Sequence, residues 1–460
     1  MLNYLVRRIL LMVPTLFGIT LVVFAVMATA PGGLTAQGLV DGQNLEPEAK
    51  QALLTYYNRI YGLDQPAYIQ YLRWLNNISP VGFILDDEAN VAGFDWAKGS
   101  DLGTSFRYGR PVLDLVAERV PITLALNLLS LPLIYAVAIV VGVYAAERRG
   151  SRFDTGSSLV ALALWSVPTM LAGIVLIGFF GSEQYWRWFP IAGLSFREAL
   201  DMPFLPHFGS TSDVVRAFVG GMVGAGIATV LALMRTASLR QGLSAVAGLM
   251  LGITAYETLP SEGLSLPGLV VVFAVVGAAW LMACIDSIIG RAVAFATIGT
   301  CVGLGIGFNS LEEPFTRGFL LDRLWHLVLP VLCLSYSGIA FVTKLVRSSV
   351  LENRFANFAR TARAKGVDEG AILWRHVFRA SLLPLITIAA GILPAMLGGS
   401  VIVESIFSID GMGKLAVEAV KGRDRELVLS LTLVSGCLTL IGYLIADVCY
   451  AIADPRVSFD

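Results

Sequence analysis

The chain has 460 residues, 56% of them hydrophobic and only 15% charged, which is too apolar for a soluble domain of ordinary composition. Several runs of 17 to 25 residues carry no charge, the length a helix needs to cross a bilayer core. Net charge is −1, so bulk charge gives no reason to expect nucleic acid as a partner. The five cysteines (284, 301, 333, 437 and 449) lie in or beside apolar runs without a CxxC pair, which argues against a disulfide framework or a zinc site.

In chain order, the first predicted span is Ile9 to Ala30. It follows Arg7-Arg8 and has no convincing cleavage site, so it reads as a retained helix with a cytoplasmic N-terminus. Residues 31–119 form a polar external segment, with amphipathic helices predicted at Pro47–Tyr61 and around Tyr68–Leu75 and turns in DLGTSFRYGRPV. A second span runs from Pro121 to Ala146 and ends in the basic turn Glu147–Arg152. A third runs from Ser157 to Gly181, with a kink expected at Pro168. An aromatic external loop, Glu183–Ser212, follows.

Between 213 and 309 lie four apolar runs, Val214–Met234, Gly242–Glu257, Leu266–Ile285 and Ala292–Phe308. Arg235, Arg240 and Arg291 fall in alternate connections, as the positive-inside rule asks, so this segment is predicted to be four spans, although two long re-entrant pairs would meet the same requirement for an even number of crossings. Gly220/Gly224, Gly299/Gly303 and Gly303/Gly307 permit close helix packing, although lipid-facing helices under weak selection could carry the same glycines. Leu324 to Leu345 is the next span.

A different stretch follows. Phe355 to Pro384 is polar and helix-forming, and from Lys344 to Arg379 there are eight Lys/Arg against three Asp/Glu. Phe355, Phe358, Ala359 and Ala362 give one narrow apolar face on a first helix. Gly366 stands at a helix C′ position that favours positive φ, and Asp368 is placed to cap a second helix with Glu369 in its first turn. A plain basic loop that only fixes topology would explain the charge, but neither the small-residue face nor the placed glycine. The chain then returns over Leu382–Val403, passes Glu404–Val420, and ends with a span at Leu427–Ala451.

These residues resemble a known family. RTARAKG at 360–366, with His376, Arg379 and Leu383-Pro384, is similar to the cytoplasmic loop of dipeptide/oligopeptide ABC importer permeases. ESIFS (404–408), GMGKL (411–415), GLDQP (62–66), DLGTS (101–105) and the ending Asp454-Pro455-Arg456 also match its pattern. Arg360-Thr361-Ala362 replaces the family's general Glu-Ala-Ala and marks the peptide-importing branch. The resemblance implies an all-α polytopic bundle of the type I ABC importer permease kind with ten spans, six of core and four in an insert at 213–309. Core segments would cover 1–30, 120–212 and 310–460. It further implies a coupling loop at 346–381, with Ala359, Arg360, Thr361, Ala362, Arg363, Ala364, Lys365, Gly366, Val367, Asp368, His376 and Arg379 docking on an ATPase. An external re-entrant piece at 404–425 would use Glu404, Phe407, Gly411 and Gly413. The insert and the stretch near Ser79–Gly99 depart from the family, and neither has a functional reading.

The implied function is a permease subunit that moves peptides or similar small solutes across the cytoplasmic membrane of a bacterium, with both termini cytoplasmic. The implied partners are ATP-hydrolysing subunits, a second, homologous permease chain different from this one, an external solute-binding protein and the lipid bilayer. No enzyme activity, cofactor, metal or nucleic acid is expected of the chain itself. Gly413-Lys414 lacks the Gly and the Ser/Thr of a phosphate loop, since positions 408 and 415 are Ser and Leu, so ATP belongs to the partners. His207, His326 and His376 have no metal-ligand spacing. The alternatives are an ion-coupled carrier or channel, for which a midplane carboxylate or histidine is missing, and a non-transporting scaffold.

Overall fold

A computed structural model of the chain describes residues 2–29, 46–61, 65–85, 91–234, 236–257, 266–283, 288–309, 315–397 and 400–453. Gly62–Asp64, Arg235, Glu262, Cys284, Asp286, Gly398-Gly399 and Asp454–Arg456 lie outside these residues. The described chain is helical apart from one hairpin, and it divides into two compact units, residues 1–170 with 331–460 and residues 171–330.

In the first unit, α1 (Leu2–Thr29) pairs with the last helix, α16 (Arg425–Ala453), and Arg8 Nε sits 3.1 Å from Asp447 Oδ2. Helix α2 (Pro47–Tyr61) has the predicted bounds, and α3 (Ala67–Ile78) docks on α1 through Tyr71. The Tyr71 ring lies 5.1 Å from Phe24, and its hydroxyl is 3.0 Å from Thr20 Oγ1. The stretch without a reading, near 79–99, is a two-stranded hairpin, β1 (Gly82–Leu85) against β2 (Val91–Asp95), with Phe83 opposite Phe94. Helix α4 (Val112–Glu147) starts nine residues before the predicted span, because Pro111 supplies the fixed φ that a helix start needs.

The expected third span is not continuous. Helix α5 (Arg152–Ser166) stops at Val167, whose ψ of 124 is extended, and α6 (Thr169–Phe180) begins afresh. The residue before proline is pushed out of the helical region, so Pro168 breaks the helix rather than bending it. Helix α11 (Gly318–Arg354) delivers the chain to the polar stretch. Its Val342, Val346 and Val350 pack with Ile134, Ala138 and Ala146 of α4 and with Ile372 and Val377 beyond the turn.

The second unit holds α7 (Thr211–Leu233), α8 (Ala237–Glu257), α9 (Leu266–Ala283) and α10 (Ile288–Asn309), the four helices expected of the insert. The glycine pairs are packing surfaces. A β-carbon on Gly220 would stand 2.5 Å from the Gly303 carbonyl, and one on Gly224 would stand 2.1 Å from that of Gly299. Small residues therefore let α7 and α10 touch backbone to backbone. Arg240 was expected in a connection but lies in the first turn of α8, buried, donating to the carbonyls of Ala283 (3.0 Å) and Met234 (2.9 Å). Arg291 donates to the Ala232 carbonyl at 2.6 Å. Both guanidiniums thus satisfy carbonyls at helix C-termini, where a cation is electrostatically favoured.

Seven described helices are long and apolar enough to cross a membrane, or eight if α5 and α6 count as one span. Ten were expected. Within the insert, α8 supplies the apolar helix Ala237–Ile253, and α9 is an 18-residue helix without a charged side chain.

Candidate functional site

The polar stretch folds as helix, turn and helix. Helix α12 (Asn357–Ala364) closes with the Val367 amide bonded to the Ala362 carbonyl (3.2 Å) and the Gly366 amide to that of Arg363 (2.9 Å). This paired pattern needs a left-handed residue at C′, and Gly366 supplies φ 74. The Asp368 carboxylate then accepts from the amides of Gly370 (2.9 Å) and Ala371 (3.3 Å), capping the next helical turn. One π-helical turn, Ile372–Val377, runs into α13 (Phe378–Leu397).

The predicted apolar face is divided. Ala359 and Ala362 are buried against Val350, Ile372 and Val377, whereas Phe358 faces outward and Phe355 lies before the helix. The two alanines make the contact with the core, and the rings lie on the outward side. Phe355, Phe358 and Trp374 are 59%, 42% and 55% exposed. Arg360, Thr361, Ala364, Lys365, Val367, His376 and Arg379 are also exposed, so the outward surface mixes aromatic rings with positive charge.

The base of this surface is tied down. Arg363 Nε donates to Glu369 Oε1 at 2.6 Å across the turn, and its Nη1 donates to the Arg354 carbonyl at 3.2 Å. Arg354 in turn donates to the Glu147 carbonyl at 2.9 Å, at the end of α4. Arg347 holds the buried Asp154 with both a close Nε contact and an Nη2 bond of 2.8 Å. A force applied at 355–379 would therefore reach α4, α5 and α11 through packed, hydrogen-bonded contacts.

The second predicted cluster centres on Glu404, in α14 (Val401–Ile406), which is fully buried. Its carboxylate accepts from the hydroxyls of Thr123 (3.0 Å) and Ser400 (3.0 Å) and from the amide of Lys414 (2.9 Å). That amide belongs to the first turn of α15 (Met412–Lys421), where negative charge is favoured. Thr123 also accepts from the Met412 amide at 2.9 Å, linking α4 to both short helices. The glycines follow from this close approach. A β-carbon on Gly411 would lie 2.4 Å from Glu404 Cδ, and one on Gly413 would lie 2.9 Å from the Val401 amide. Phe407 is buried beneath the turn.

A third cluster was missed. Asp424, fully buried, accepts from Ser105 Oγ (2.5 Å), the Arg107 amide (3.1 Å) and the Leu427 amide (3.2 Å). Ser430 Oγ donates to the Leu102 carbonyl, and Arg425 Nη1 donates to Gln70 Oε1 at 2.7 Å. The turn-rich DLGTSF piece is thereby fastened to the start of α16. Tyr108 donates closely to Glu418, and burial followed by that bond raises its phenol above the usual value. Ser105 and Asp424 are 319 positions apart, so no local pattern could have paired them.

Residues 138–459 match the family described as binding-protein-dependent transport system inner membrane component, and residues 1–127 match its N-terminal part. The chain belongs to this family. Among curated relatives, the oligopeptide transport system permease protein AppB of Bacillus subtilis is 28% identical over 459 residues, covering 99% of both chains. The di/tripeptide transport system permease protein DppB of Pseudomonas aeruginosa is 25% identical over 457 residues, again 99% of each. The inner membrane ABC transporter permease protein YejB of Escherichia coli is 24% identical over 494 residues, 99% of each. This transport-system membrane component therefore carries three built clusters. The residues expected to form the coupling loop lie on α12 and the turn after it from Ala359 to Asp368, with His376 on the π-helical turn and Arg379 at the start of α13, and Glu404, Gly411 and Gly413 come together at α14–α15. Among the described residues, no group of three His, Cys, Asp or Glu could hold a metal ion.

Proposed function

We propose that this membrane component is the permease subunit of an ATP-driven importer for peptides or similar small solutes in the bacterial cytoplasmic membrane, with both termini cytoplasmic. The observation that carries this reading is the exposed aromatic and basic surface of 355–379 on a base fixed by Arg347–Asp154, Arg354–Glu147 and Arg363–Glu369. A flexible basic loop would serve topology equally well; a capped, braced turn is what a lever requires. The permease names of the full-length relatives support the solute class.

In this reading ATP is bound and hydrolysed by partner subunits that grip Phe355, Phe358, Arg360 and Trp374, since the Gly413-Lys414 pair sits over Glu404 and not over a phosphate cradle. A second permease chain completes the pathway, and an external solute-binding protein delivers cargo to the face that carries the 404–425 segment. Reconstitution in proteoliposomes with the partner ATPase, second permease and binding protein tests this. Uptake of a labelled dipeptide or oligopeptide that requires ATP hydrolysis is expected. Uptake driven by an ion gradient without ATP would contradict it and favour a secondary carrier.

A further inference from the structure

Helices α7 to α10 surround a cavity of about 440 Å³, within the range of small-molecule sites. At one end it is lined by Leu231, Met282 and Phe295; it runs toward Gly220 and Ile306. Gly220 to Leu231 spans roughly 16 Å at the helical rise, so the space is long and narrow. Its lining is apolar with one exception, Ser244.

Ser244 is 1% exposed and its hydroxyl has no hydrogen-bond partner. Neighbouring helical hydroxyls behave differently. Thr229, Thr297 and Thr300 each turn back to the carbonyl four residues earlier, at 2.7 to 2.8 Å. A buried hydroxyl in an apolar medium needs an acceptor, because leaving it unmade is costly. Ser244 faces the cavity at the end where Arg240 and Arg291 cap the helices, so the polar end of the space is defined. Farther along, Ile227, Met250 and Ile306 line the cavity and yet remain about two-thirds exposed, at 68%, 65% and 67%. The space is thus open to the surroundings at this end, and its apolar wall is one that hydrocarbon covers better than water.

We infer that this cavity binds one acyl chain of a membrane phospholipid, whose ester carbonyl accepts a hydrogen bond from Ser244 Oγ while the chain lies along the glycine-faced α7–α10 pair. The polarity order matches: a carbonyl acceptor near the arginine-capped end, hydrocarbon beyond it. The bilayer supplies such chains at the apolar outer faces of these helices, where Phe218, Val230 and Leu239 are exposed. The insert would then act as a lipid-binding module, independent of how transport is energised.

The test uses the full chain in nanodiscs of phosphatidylglycerol carrying a photoactivatable diazirine at the end of one acyl chain, with adducts mapped by peptide mass spectrometry. Adducts are expected to concentrate on Met250 and Ile306 over the outward-facing Val230. Ala247→Trp, which fills the cavity, should lower them about tenfold by removing the volume the chain needs. Ser244→Ala, which changes no packing, should lower them about fivefold, the worth of one neutral hydrogen bond. Adducts spread evenly over exposed apolar residues and unchanged in both variants would mean surface lipid only, and would overturn the inference. If Ala247→Trp fails to fold, Ser244→Ala alone decides, and unchanged labelling there overturns the proposal.

Discussion

Gly411→Ala is the sharpest perturbation of the α14–α15 cluster. The added methyl carbon would lie 2.4 Å from Glu404 Cδ and 2.6 Å from both carboxylate oxygens. Glu404 is fully buried and has no flexible end to swing into solvent, so the carboxylate itself must move. Moving it stretches the bonds from Thr123, Ser400 and the Lys414 amide. Hydrogen bonds to a charged group contribute about 1.5 to 3 kcal/mol each, so losing the equivalent of one or two costs about 3 kcal/mol locally. Global melting of a multi-helix membrane protein is not a two-state quantity, whereas amide exchange reports local opening. At about 1.4 kcal/mol per tenfold, exchange of the Met412 and Lys414 amides should rise about a hundredfold. Gly156→Ala, where nothing lies within 4 Å of the new carbon, serves as the control and should leave exchange unchanged. Wild-type protection at Lys414 in Gly411→Ala would refute the close-approach reasoning.

Gly366→Leu places a β-carbon at φ 74 in open space, so its cost is backbone strain of about 1 to 2 kcal/mol. Solute imported per ATP hydrolysed should fall in the reconstituted complex while Gly366→Asn stays near wild type; normal coupling in the leucine variant would exclude the lever. Removing one partner of Arg347–Asp154 leaves a largely buried charge and should destabilise by about 3 kcal/mol or more, read from thermal inactivation of transport, with the double variant Asp154→Asn/Arg347→Gln recovering part of the loss. Gly303→Val would drive a side chain into the Gly220 carbonyl, 2.1 Å from the new carbon, so amide protection of α7 and α10 should collapse while that of α4 is kept. For orientation, Arg360→Cys should resist an impermeant maleimide in intact cells and Trp96→Cys should react; labelling of both from one side would contradict the topology.

The local devices were legible because they depend on residues close in sequence. Gly366 and Asp368 announced their turn through backbone rules that act over three or four positions, and α2 was readable from its apolar periodicity. The glycine pairs of the insert announced packing but not which of the two readings held, since that needs the partner helix. Pro168 was read as a kink and proved a break: Val167 before it is extended, and its carbonyl accepts from the Tyr336 hydroxyl at 2.6 Å, a partner far away in the sequence. Phe355 and Phe358 were read with Ala359 and Ala362 as one face; helical spacing does not reveal that the two alanines are buried with Val350 while both rings are exposed. Asp424–Ser105 and Thr123–Glu404 were invisible for a plainer reason, since each joins segments hundreds of positions apart.

A chain that passes on work done by partner ATPases must be held in a complex with them. Gentle affinity purification of the tagged chain from native membranes, with mass spectrometry of stoichiometric partners, tests it most directly. The expected result is a complex containing a nucleotide-hydrolysing subunit and a second permease, lost or weakened in a Phe358→Asp/Trp374→Asp variant. A chain that purifies alone, or only with itself, would contradict the account.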